Sequence, residues 1–215
     1  MTTLVIGNKN YSSWSLRPWL LMRHFGLPFE EIVLPLDTPE FEARILSLSP
    51  SRRVPAMHVG EEVVWDSLAI CETVNERWLQ DRGWPSDPRP RAAARSAAAE
   101  MHSGFAALRS QLPLNCRRQP RAPHWDANVD RDIARIEQLW LDLRRRHGGG
   151  SGFLCGDFGI VDAMYAPVCL RFRSYGPDLS AHSREYMQQV FDLPALREWL
   201  AGADAEPARV GVYEV

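Results

Sequence analysis

The sequence predicts a small α/β domain followed by an all-helical one. Three observations carry that prediction. Strand-like and helix-like segments alternate as far as Gln80. A stretch rich in proline and glycine follows, from Asp81 to Arg91. Beyond it, the periodic segments all have helical spacing. The expected domains are therefore residues 1–80 and 92–215, with a linker at 81–91.

Thr3 to Gly7 is a short β-branched and apolar run, which reads as a buried strand. Leu16 to Phe25 has apolar residues at helical spacing, with Pro18 placed for a first turn and Gly26 for a stop. Phe29 to Leu34 reads as a second strand, parallel to the first if the helix is a crossover. Thr38 is a natural N-cap for a helix over Pro39 to Leu48. Met57 to Trp65 reads as a hairpin turning at Gly60-Glu61, and Ser67 to Leu79 as a helix. The second domain opens with an alanine-rich helix from Ala92 to Leu112. An irregular stretch at Pro113 to Asn128 and a helix from Val129 to Arg146 follow. Gly159 and Asp162 have the spacing of a capping box before an apolar helix ending near Phe172. Shorter helices are expected at Ser183 to Val190 and Pro194 to Ala201.

Composition narrows the function. The 215 residues are 45% hydrophobic and 24% charged, enough for a sizeable core. A net charge of -2 gives no reason to expect a nucleic-acid partner. The runs Arg117-Arg118 and Arg144-Arg145-Arg146 read as solvated helix ends or loops. The four cysteines (Cys71, Cys116, Cys155 and Cys169) form no C-x-x-C pair, so reduced thiols and a cytoplasmic location are expected. The six histidines show no metal-ligand spacing, so no metal is expected. The first residues lack a basic, apolar leader, and no stretch approaches the ~20 apolar residues of a membrane span.

Three segments carry chemistry. Ser12 and Ser13 lie between a strand and a helix start. A free thiol, with a pKa near ~8.5, is mostly protonated at neutral pH. A hydroxyl donor and helix N-terminal amides both favour its thiolate. The plain alternative is a loop serine that caps a helix. Next comes Arg53-Val54-Pro55. A cis bond here would turn the backbone of Val54 outward, toward an extended peptide ligand. The plain reading is a trans proline, since cis accounts for about 5–6% of X–Pro bonds. Last, Asp66-Ser67 opens a helix whose free amides favour an anion. Ser67 suits a ligand carboxylate and Asp66 a ligand ammonium, while an ordinary N-cap explains the pair equally well. Together the three suit a small anionic thiol peptide.

The ordered set resembles the N-terminal domain of glutathione transferases, which has the thioredoxin-like fold. Ser12-Ser13-Trp14-Ser15-Leu16-Arg17 is most similar to the S-S-C-x-W-R segment of the zeta class. Val54-Pro55 resembles the family's cis-proline, and Asp66-Ser67 its acidic-serine pair. The start of the helix at Gly159 to Asp162 resembles the capping motif of the family's C-terminal domain. The resemblance covers nearly the whole chain.

The resemblance implies an enzyme that uses glutathione as co-substrate and conjugates it to a small electrophile, a detoxifying reaction. The second substrate is expected to be largely apolar and held in an apolar cleft between the domains. Thiol activation falls on Ser12, with Ser13 second and Tyr11 third. Val54 would hold the cysteinyl backbone, Asp66 and Ser67 the γ-glutamyl end, and Arg53 would assist with charge. Trp14, Met101, His102, Arg171 and Arg173 are candidates for the second-substrate pocket. It also implies a homodimer formed through the helices from Ser67 and Ala92. Two departures matter. Trp14 stands where the zeta class has cysteine, which weakens the carry-over of maleylacetoacetate isomerase activity, and Leu16 replaces that segment's tryptophan. A glutathione-dependent isomerase and a non-catalytic glutathione-binding module are the alternatives.

Overall fold

The computed structural model describes residues 1–119 and 124–214. Residues 120–123, within the stretch expected to be irregular, lie outside the described residues.

The N-terminal layer is a four-stranded mixed sheet in the order β2-β1-β3-β4. β1 (Thr2–Gly7) pairs parallel with β2 (Glu30–Leu34) and antiparallel with β3 (Ala56–Val59). The hairpin to β4 (Glu62–Trp65) closes the sheet. Leu4, Val5 and Ile6 are fully buried, so both faces of β1 are covered and its continuous apolar run is explained. The crossover between β1 and β2 is α1 (Ser13–His24), and α2 (Pro39–Leu48) is capped by the Thr38 hydroxyl, which accepts from the Phe41 amide at 3.1 Å. α1 starts three residues before the expected Leu16. Pro18 therefore lies inside the helix, where it lacks the amide that would bond the carbonyl of Trp14.

α3 (Ser67–Val74) runs on into a π-helical turn at Asn75–Leu79. Asn75 secures the bend that follows, accepting from Gly83 N at 2.8 Å and donating to Asp81 at 3.0 Å. α4 (Pro88–Ser103) starts inside the expected linker, because Asp87 caps it at Arg89 N and Pro88 needs no amide partner in a first turn. The single helix expected from Ala92 to Leu112 is broken. α4 ends at Gly104, Phe105 takes a left-handed backbone with φ 55°, and α5 (Ala106–Gln111) restarts with Asp132 accepting from Leu108 N at 2.9 Å.

α6 (Ala127–His147), α7 (Ile160–Tyr175), α8 (Ala181–Phe191) and α9 (Pro194–Ala205) complete the helical layer, each longer than the sequence suggests. α7 is its buried axis, and α1 packs against α7, α3 and α9. One continuous core therefore runs from β1 into α7 and α9, with Trp19 edge-on to Trp199 at 5.1 Å.

At the start of α7, Asp162 accepts from Gly159 N, Leu154 N and Tyr186 Oη, each at 3.1 Å. Burial still pushes its carboxyl up to about 7. The four cysteines are unpaired and buried, and burial raises every thiol above its ordinary range.

Candidate functional site

The site forms where the N-termini of α1 and α3 approach the C-terminal half of α7. Ser12 is the N-cap of α1 and is buried. Its hydroxyl donates to Ser15 Oγ at 2.7 Å, and Ser15 Oγ also accepts from Gly7 N at 3.1 Å. Ser15 thus ties Ser12 to the end of β1. A hydroxyl proton rotates to suit its partners, so the pair can also run from Ser15 to Ser12. In that direction Ser12 is free to donate to a thiolate. Ser13, also buried, accepts from Arg171 Nη2 at 3.3 Å.

Three arginines gather here. Arg17 is fully buried; its guanidinium lies 4.1 Å from the centre of the Trp14 ring and reaches Ser67 Oγ at 3.5 Å. Arg109, at the far end of α5, lies 5.4 Å from the same ring. Arg171 donates through Nε to Leu112 O at 2.8 Å. Nε and Nη2 of Arg17 and Nη1 of Arg171 have no partner among the described residues. Burial, then repulsion from Arg171 and Arg109, brings Arg17 down to about 9. Burial and Arg109 bring Arg171 down to about 10. Both stay cationic at neutral pH, so the surroundings of Ser13 and Ser67 are electropositive.

The Val54–Pro55 bond is cis, immediately before β3. Pro55 is buried, Val54 half-buried and Arg53 exposed. Asp66 caps α3 through Oδ1, which accepts from Leu68 N at 2.8 Å and Ala69 N at 3.3 Å. The ordinary N-cap role is thus filled by one oxygen. The other faces His102 Nε2 at 3.2 Å. Ser67 is buried beside Arg17.

The candidates for the second-substrate pocket separate. Trp14 lies among Arg17, Arg109 and His102, the last edge-on at 5.4 Å. His102 belongs with Asp66 at the start of α3. Met101 is fully buried core. Arg173 is turned away from Ser13; it donates to Cys116 O at 2.9 Å and lies over Phe191. Two residues apart on a helix of 3.6 residues per turn, Arg171 and Arg173 face nearly opposite sides. Tyr11 turns toward the C-terminal segment. Its hydroxyl donates to Glu214 and accepts from Arg117, and its ring stacks on Tyr213.

Sequence reasoning missed Ser15 and Arg109 and gave Arg17 no role. A serine three residues after another in a helix start was the available signal for Ser15. An apolar cavity of about 490 Å³, lined by Met22, Leu27, Phe29 and Trp78, lies elsewhere and touches none of these residues. Among the described residues no cluster of three His, Cys, Asp or Glu side chains could hold a metal ion, and no helix is long and apolar enough to cross a membrane.

Comparison with known proteins gives consistent findings. A family model described as the N-terminal domain of glutathione S-transferase matches residues 11–77. A second, described as the C-terminal domain, matches residues 117–202. The chain is 30% identical to a maleylacetoacetate isomerase from Pseudomonas aeruginosa, over 87% of this chain and 88% of the relative. It is 23% identical to glutathione S-transferase GstB from Escherichia coli, over 91% of this chain and 96% of the relative. Among solved structures, a glutathione transferase homologue from Burkholderia with bound glutathione superposes with a TM-score of 0.72. That match has 21% identity and covers 95% of this chain and 99% of the homologue, a likeness of fold.

Proposed function

The chain belongs to the glutathione S-transferase family, and we propose that it is a glutathione transferase in which Ser12 holds the thiol as a thiolate. The observation that carries this reading is the meeting of two helix N-termini across one buried cation. Ser12 and Ser13 open α1, Asp66 and Ser67 open α3, and Arg17 lies between them. Amides, hydroxyls and guanidinium all favour negative charge in that space.

Glutathione would lie along the N-terminal domain. The Val54 backbone suits its cysteinyl peptide, the start of α3 suits the γ-glutamyl carboxylate, and Asp66 suits the ammonium group. Arg53, exposed before the cis bond, is free to approach a ligand carboxylate. The thiolate then attacks an electrophilic carbon held between the domains, beside Trp14 and Arg171. Positioning and thiolate formation supply the acceleration.

Arg109 and Arg171 favour a second reading. Among the described residues neither forms an ion pair, so they suit a substrate that carries a carboxylate. In a glutathione-dependent isomerase the thiolate would add to such a substrate and leave again, consuming no glutathione. The family context further supports a cytoplasmic homodimer joined through α3 and α4, acting in detoxification. The unpaired thiols fit a reducing compartment.

Mass-balanced turnover tests the reading. Conjugation consumes one glutathione per product and yields a thioether. Isomerisation leaves the glutathione concentration constant. Binding without turnover of any electrophile or isomerisable diacid would contradict both and leave a binding module.

A further inference from the structure

We propose that the segment from Glu206 to Glu214 is part of the thiol-activating site, holding the loop that delivers Ser12, with Glu206 and Arg117 as positioning residues. The proposal rests on the glutathione reading above.

The loop between β1 and α1 has backbone groups that neither the sheet nor the helix uses, and such groups need partners. The stretch before α6, helix α9 and the segment after α9 supply them. Lys9 N and Asn10 N both donate to the Glu206 carboxylate, at 2.7 and 3.1 Å. One carboxylate thus spans two successive amides in a charge-assisted fork. Lys9 O accepts from Trp199 Nε1 at 2.9 Å, and Asn10 O accepts from Cys116 N at 3.1 Å. Asn10 Nδ2 donates to Asn115 at 3.0 Å.

Arg117 fastens the segment to the same loop. Its guanidinium donates to the carbonyls of Glu206 and Ala208 and, at 3.2 Å, to the Tyr11 hydroxyl. Tyr11 stacks on Tyr213 with ring centres 5.5 Å apart and donates to Glu214. Ser12 follows Tyr11 directly, and its amide is bonded to Asn8 O at 2.8 Å. Slack in the segment therefore becomes displacement of Ser12. A donor to a thiolate works over a few tenths of an ångström, so small displacements carry a large cost in activation. The other glutathione contacts are insulated. Val54, before β3, and Asp66 and Ser67, at the start of α3, have no hydrogen bond to the segment among the described residues.

The test compares wild type with Glu206→Ala, Glu206→Gln and Arg117→Met. Three quantities are read: ionisation of bound glutathione by thiolate absorbance, the glutathione dissociation constant, and the melting temperature. Glu206→Ala and Arg117→Met are expected to return the bound thiol toward the free value of about 8.5 and lower kcat about tenfold. The glutathione dissociation constant, measured at about pH 5 where the thiol is protonated free and bound, should stay within about twofold. Glu206→Gln, which keeps one acceptor oxygen, should fall between. Melting temperatures that drop while the bound thiol ionises as in wild type would overturn the proposal. A wild type that does not lower the thiol pKa would instead overturn the glutathione reading and this proposal with it. Amide exchange needs no ligand and separates the two. Both disruptive variants must speed exchange at Lys9 and Asn10, and unchanged exchange there would overturn the segment's role alone.

Discussion

Replacing Arg17 with methionine is expected to stabilise the unliganded protein while weakening its hold on glutathione. Arg17 is fully buried, faces two other guanidiniums, and leaves Nε and Nη2 without partners. Its pKa falls from the ordinary 12.5 to about 9. At about 1.4 kcal/mol per unit, that interval of about 3.5 is roughly 5 kcal/mol against keeping the charge inside. Methionine removes that cost and fills the stem's volume. It also loses the stacking on Trp14, about 2 kcal/mol when desolvated, and the bond to Ser67, about 1 kcal/mol. A net gain of about 2 kcal/mol remains for the empty protein. The liganded protein loses a charge-assisted partner of about 1.5–3 kcal/mol, which weakens binding roughly ten- to hundredfold. Urea denaturation of the unliganded variant and calorimetric titration with glutathione read the two effects separately. A variant less stable than wild type, with an unchanged dissociation constant, would refute the view of Arg17 as a stored cation awaiting an anion.

Three further outcomes follow from other contacts. Ser15→Ala leaves Gly7 N unpaired and Ser12 without its partner, so it should cost about 1–3 kcal/mol of stability and weaken thiol ionisation, read by denaturation and thiolate absorbance. Arg171→Met should raise KM about tenfold for 4-(chloromethyl)benzoate and little for its amide, whereas Arg173→Met should change neither in steady-state assays. Asp162 carries a folded pKa of about 7, raised above its unfolded value of about 3.9. Its stabilising contribution is thus complete below about pH 4 and is lost as pH rises through about 7. Asp162→Asn should therefore flatten the fall in melting temperature across that window, measured against wild type at matched pH.

Legibility in the sequence tracked local chemistry. The strand at Thr2–Gly7, the Thr38 cap and the Asp66 cap each use a signal carried within a few residues. The break at Gly104 and Phe105 did not show, because Leu108 and Leu112 continue the apolar spacing of the preceding helix across it. What separates α4 from α5 is a distant carboxylate, Asp132, at Leu108 N. The site divided in the same way. The Ser12-Ser13 and Val54-Pro55 segments were visible as motifs. The burial of Arg17 and Arg171 was not, since a charged side chain on a helix is ordinarily solvated, whereas Arg17 is enclosed against Trp14 and Ser67, and Arg171 against Ser13 and Leu112. Arg117 reads as half of a solvated basic pair, yet it fastens residues 206–208 to the loop before Ser12.

The proposed function stands on Ser12 lowering the thiol pKa of bound glutathione. The decisive measurement is a titration of thiolate absorbance on glutathione bound to wild type, Ser12→Ala and Ser13→Ala. The bound thiol is expected to ionise well below the free value of about 8.5 in wild type, and to return toward that value in Ser12→Ala and much less in Ser13→Ala. Glutathione bound by wild type with an unshifted thiol would contradict it.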